Sequence, residues 1–222
     1  MKLYWIKGDF ELLWVNCVEE GVTNLLDHVV HDGAMIDRTK PIVLETSDWD
    51  APGDWIASDC PRAPAYGTLL LSERAVAVLG SMLTDAGYFL DTVLPGTDVR
   101  YKVFICDCEL DALDLERSEL TRFRSGNIDR VLRHELKADS LRGADVFRLK
   151  HRRSDVFVSD RFKAAVEQAG LVGFVFEEIW SSETGGVYRP REMPPIDRVP
   201  GESARRAKAK RRALREVLAR QG

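Results

Sequence analysis

Val156-Phe-Val-Ser-Asp-Arg-Phe-Lys-Ala-Ala-Val-Glu-Gln-Ala-Gly-Leu-Val-Gly-Phe-Val-Phe-Glu-Glu-Ile-Trp180 is the stretch whose reading decides the fold. Its hydrophobic period changes twice. Val156–Val158 is a short apolar run and reads as a strand. Ser159 follows as a natural N-cap, because its hydroxyl can accept a free N–H of the first helical turn. Asp160 sits at the positive end of the helix dipole. Phe162, Ala165, Val166 and Ala169 share one helix face. Gly170 stops the helix, and Gly173 permits the turn into a second strand. On that strand Phe174, Phe176 and Trp180 are expected to share one face and fill the core. The stretch is a strand–helix–strand unit.

Working outward, residues 68–93 echo this unit. Thr68-Leu-Leu-Leu-Ser72-Glu-Arg74 opens it, with Ser72 as cap and Glu73 at the dipole. Val76, Leu79 and Leu83 share a face, Gly87 is expected to end the helix, and Tyr88–Val93 returns as a strand. Duplication and convergence on a common unit both account for the echo.

Around the two units the pattern is mainly β. Leu3–Ile6 and Leu12–Val18 flank Gly8-Asp9 and read as a hairpin. Val99–Leu110 and Asp145–Lys150 read as strands, and Ile128–Leu136 as a strand or short helix. Residues 46–67 are rich in Pro, Gly, Asp and Ser and read as a long loop. Pro190, Pro194, Pro195 and Pro200 mark a linker before a basic, helix-prone segment, Ala204–Arg220. The expected fold is α+β. It has a mixed or mostly antiparallel sheet, short helices, two strand–helix–strand units and a basic C-terminal helix. Four parts follow: residues 1–67, a core over 68–182, a linker over 183–203 and a tail over 204–222.

A chain of 222 residues with 45% hydrophobic residues is long enough to bury a sizeable core. It holds no apolar run near the roughly 18 residues of a membrane span, and its N-terminus lacks a signal-peptide pattern. A cytoplasmic location is the expectation, with no membrane partner. Charge is uneven. Residues 201–222 carry eight Lys/Arg against two Glu, a net +6, while the remainder carries 24 against 34, a net −10. The acidic body suits a basic partner surface, such as that of a nuclease, and equally suits solubility.

Motifs for catalysis are sparse. No phosphate-loop, dinucleotide or nucleophile-elbow signature occurs. His134-Glu135 begins like a zinc-protease helix, but Ala138 stands where the second His should be. His28 and His31 lack a third ligand, and Cys106-x-Cys108 reads as two small core residues on one strand face. No metal or cofactor is expected. The carboxylate pairs Asp111/Asp114, Glu116/Glu119 and Glu177/Glu178 read as solvated surface, the last two pointing to opposite strand faces. Arg205-Arg-Ala-Lys-Ala-Lys-Arg-Arg212 has little aromatic interleaving, so nucleic acid is not the expected partner. With Leu214, Val217 and Leu218 forming only a small apolar stripe, the tail reads as a solvated, partly frayed helix.

The order of motifs resembles the type-eleven immunity family of bacterial polymorphic-toxin systems. The matching residues are Leu71-Ser-Glu-Arg74, Ala112-Leu-Asp-Leu-Glu-Arg-Ser118, Phe147-Arg-Leu149, Phe157-Val-Ser-Asp160, Gly170-Leu-Val-Gly173-Phe and the final strand to Trp180. They span roughly residues 68–182. The resemblance implies a non-enzymatic protein that binds and neutralises a cognate toxin stoichiometrically. It implies no catalytic residue. The motif residues Ser72, Ser159, Gly170, Gly173, Phe174, Phe176 and Trp180 read as caps, turns and core, so toxin contact is expected from loops. Asp48, Trp49, Asp50, Asp54 and Trp55, in the 46–67 loop, are the candidate partner-binding residues: two rings among acids, either anchors for a partner or packed on the core. The alternative is a small enzyme or nucleic-acid-associated protein using the surface carboxylates or the basic tail.

Overall fold

The computed structural model describes residues 1–19, 21–46, 55–141, 143–189 and 202–219. The chain opens with strand β1 (Lys2–Cys17), helix α1 (Val22–Asp32), β2 (Ile42–Thr46) and the two-residue β3 (Pro61–Arg62). The first predicted unit follows as β4 (Thr68–Ser72), α2 (Glu73–Thr84) and β5 (Gly87–Val93). The middle holds β6 (Tyr101–Cys106), β7 (Glu109–Leu110), the hairpin β8 (Glu119–Arg122) and β9 (Ile128–Arg133), and β10 (Val146–Leu149). The second unit is β11 (Arg152–Ser159), α3 (Asp160–Gln168) and β12 (Phe174–Ser181). A short β13 (Gly185–Gly186) and the C-terminal helix α4 (Glu202–Leu218) complete the chain. The fold is α+β on a mixed sheet, as the sequence indicates.

The main sheet runs β4-β6-β5-β2-β1-β11-β10-β7, with β12 on the remaining side of β1. The two units share one topology. In the first, β6 lies between β4 and β5 and is antiparallel to both. In the second, β1 lies between β11 and β12 and is antiparallel to both. Each is a strand–helix–strand crossover with an antiparallel strand inserted. Helices α2 and α3 pack on one core with Leu71, Leu79, Leu83, Phe104, Val158, Phe162 and Val166. Successive strand residues face opposite ways, so Leu70, Val103 and Ile105 join a second core with Leu26, Val29 and Val30 of α1. Phe157 joins a third, with Leu3, Leu113, Phe147, Ile179 and Trp180. All five residues of β4 are buried because both of its faces are covered.

Three expectations change. The hairpin at Gly8-Asp9 does not form: β1 runs unbroken from Lys2 to Cys17. Gly8 serves a close approach instead, since an added Cβ would lie 2.1 Å from the Pro61 carbonyl oxygen. The long strand pairs with β11 and β12 at its start and with β2 at its end. Gly87 is not a helix stop. α2 ends at Thr84, and Gly87 begins β5 with its Cα pressed against the Ile105 carbonyl. Phe174 and Phe176 stack against the first core, while Trp180 enters the third. The register against β1 slips between Leu3, which faces Trp180, and Tyr4, which faces Glu178. The extra residue, Ile179, turns the end of the strand, so Ile179 and Trp180 both reach the third core.

Candidate functional site

The two helix starts are built alike. Ser72 Oγ accepts the Ala75 N–H at 3.1 Å and donates to Asp59 Oδ1 at 2.7 Å. Arg74 donates to Asp59 Oδ2 at 3.1 Å, and the Ser72 N–H bonds the Asp59 carbonyl. In the second unit Ser159 Oγ accepts the Phe162 N–H at 3.2 Å and donates to Asp145 Oδ1 at 2.6 Å. Arg161 grips the same carboxylate, and the Ser159 N–H bonds the Asp145 carbonyl. One aspartate, 13 or 14 residues upstream of the serine, therefore holds each Ser-acid-Arg step. Sequence reading missed both aspartates. The recurring serine and arginine were the available signal, because a cap hydroxyl and a guanidinium side by side call for a shared acceptor.

The remaining motif residues also build the frame. Gly170 has φ 60°, and its N–H and that of Leu171 close onto the carbonyls of Glu167 and Val166. This is a Schellman stop with Leu171 packed in the core. Gly173 has φ 93° and lies against Ser58. Arg74 also donates to the Ala169 carbonyl at 2.7 Å, tying the first helix start to the end of the second. Arg148 and Arg153 donate to the carbonyls of Val30 and His31 at the end of α1.

Of the candidate binding residues, Asp48, Trp49, Asp50 and Asp54 lie outside the described residues. Trp55 is half-buried against the second core. The Arg211 guanidinium lies 4.6 Å from its ring centre, a cation–π contact. Thr46 pairs with Val15, and the Ile56 N–H bonds the Leu12 carbonyl, so both of these residues lie beside residues 12–15 of β1.

Helix α4 is docked, not frayed, and charged side chains hold it on β1. Lys210 donates to Asp9 Oδ2 at 2.7 Å and to Glu11 Oε2 at 2.8 Å. Arg206 donates to Glu11 Oε1 at 3.0 Å, and Arg211, 1% exposed, reaches the Glu11 carbonyl. Positions 206 and 210 share one helix face, with 211 on its flank, and residues 9 and 11 share one strand face. Burial pushes the Glu11 carboxyl up, but Lys210 and Arg206 outweigh it and hold the group below its usual value. Val217 remains exposed. The basic run was visible in sequence; Asp9 and Glu11 as its seat were not.

His134 is buried at 3% exposure, edge-on to Phe157, with neither ring nitrogen bonded. Burial, helped by Arg189 and Arg152, pushes its pKa down to about 3. His28 bonds Asp32 at 2.6 Å. Cys106 is a free thiol in the first core, and burial pushes it up to about 12. Among the described residues no three His, Cys, Asp or Glu side chains are grouped to hold a metal ion. No described helix is long and apolar enough to cross a membrane.

Residues 52–181, more than half of the chain, match the family model described as Immunity protein family (Imm11). No curated protein matches the chain.

Proposed function

The chain belongs to the Imm11 immunity family, and from that membership we propose that it binds a cognate toxin stoichiometrically in the cytoplasm and blocks the toxin's active site. The family match is the observation that carries this reading. The residues that make the family recognisable are caps, turns and core, which frees surface loops to follow one toxin. No catalytic residue is needed. The body outside the tail is acidic and suits a basic toxin surface, such as that of a nuclease. The loop bearing Asp48, Trp49, Asp50, Asp54 and Trp55 is the proposed acidic contact.

Co-expression with the toxin encoded beside it should restore growth and yield a complex of fixed stoichiometry. If the chain neither protects nor co-purifies, the reading fails. A nucleic-acid role for the tail has less support, because Arg206, Lys210 and Arg211 are spent on Glu11, Asp9 and Trp55.

A further inference from the structure

A groove of about 260 Å³ runs between the first half of β1 and residues 62–68. Its open rim carries Phe10, 40% exposed, and Tyr66, 69% exposed. Trp5 and Val156 line it more deeply. Phe10 keeps this exposure with α4 docked on Asp9 and Glu11.

Among the described residues the charges lining this groove are positive, in a protein whose net charge is −4. They are Lys7 and Arg62. Arg62 stacks 4.4 Å over the Trp14 ring and makes no ion pair among the described residues. Lys7 lies 4.6 Å over the Trp5 ring. It bonds Glu177, which also pairs with Arg189, so that trio keeps one net positive charge. Stacking on an indole fixes a cation without neutralising it. Exposed aromatics beside an arginine, around a concave apolar floor, are the composition of energetically dominant interface sites.

We propose that this groove seats a toxin segment that presents a large apolar side chain next to a carboxylate. The apolar group enters between Phe10 and Tyr66, and the carboxylate meets Arg62. This rests on the immunity reading and adds a second polarity to it. Thr46 and Ile56 lie beside Val15 and Leu12, and the Trp14 on which Arg62 stacks is between them in β1. A positive contact added to an acidic one would fix the orientation of one toxin and reject others.

The test uses the full-length chain and the purified toxin encoded beside it. Tyr66→Ala and Arg62→Glu should each weaken binding roughly tenfold or more. Met35→Ala, at a residue 94% exposed and outside the groove, should leave it unchanged. Equal thermal midpoints exclude misfolding, and a photo-crosslinker placed at position 66 gives a reading that needs no loss of affinity. Its adduct should map to a toxin segment holding Asp or Glu beside an apolar residue. If the native chain binds but the groove variants stay within threefold and no adduct forms, the groove is overturned and the immunity reading stands. If the native chain binds no toxin, both fall.

Discussion

The Ser72 hydroxyl caps α2 and at the same time donates to Asp59 at 2.7 Å, so one buried oxygen joins the helix start to the segment before β4. Asp59 is 8% exposed and also accepts the Val172 N–H at 2.9 Å and Arg74 at 3.1 Å. Asp59→Ala leaves all three donors without their acceptor and should cost about 3 kcal/mol. Ser72→Ala alone should cost about 1–2 kcal/mol. The double variant should cost less than the sum, because each single change already breaks the shared bond. Urea unfolding midpoints measure all three. Strict additivity would show that the pair is uncoupled.

Gly173 offers a test with an internal control. Its φ of 93° is strained for any other residue, and an added Cβ would lie 1.8 Å from Ser58 Oγ. Gly126 has a similar φ of 88° but nothing within 4 Å. Gly126→Ala should cost about 1 kcal/mol from backbone strain alone, and Gly173→Ala about 2–3 kcal/mol. Equal thermal shifts for the two would mean that the crowding at Ser58 relaxes freely.

His134 should set an acid limit on stability. In the fold it stays neutral down to about 3, whereas the unfolded chain takes up a proton near 6.5. A lowered folded pKa means that the unfolded state binds more protons below 6.5, so stability falls as pH drops from 6.5 toward 3. Between pH 6.5 and 5 the loss should be about 2 kcal/mol. His134→Phe should flatten that slope while keeping the ring packed against Phe157. Unfolding midpoints at pH 7 and pH 5 decide it. A slope unchanged in the variant would assign the acid sensitivity to another group.

What sequence conveyed and what it hid divide along a physical line. The caps Ser72 and Ser159, the helix stop Gly170 and both crossover units were legible because caps and periods act over a few residues. Gly8 and Gly87 were misread for one reason: each glycine exists for a contact with a distant carbonyl, of Pro61 and of Ile105. Local pattern cannot distinguish that use from a turn. The bulge at Ile179, which sends Trp180 to another core, depends on the partner strand. Asp59, Asp145, Asp9 and Glu11 matter through residues 13 to about 200 positions away, and acidic residues are common on surfaces.

The docking of α4 predicts a pH window. Glu11 is held below its ordinary 4.5 by Lys210 and Arg206 despite its burial. Its contribution is present above 4.5 and is lost as pH falls through the lowered value. Lys210 loses charge more readily through burial, but Asp9 and Glu11 outweigh this and raise it above 10.5. Its contribution is present below 10.5 and is lost as pH rises through the raised value. Amide protection in residues 202–218, corrected for intrinsic exchange, should be flat between these limits and fall outside them. Lys210→Glu sets a third negative charge beside Asp9 and Glu11 and should reduce protection at pH 7 at least tenfold. Adding Glu11→Lys should restore part of it, because the exchanged pair can re-form with its signs reversed. Residues 3–6 of β1, held between β11 and β12, should keep their protection throughout. Protection of α4 that ignored both pH and the charge reversal would place its docking outside the Lys210–Asp9–Glu11 cluster, in contacts such as Arg211 over Trp55 and Arg215 at the Trp55 carbonyl.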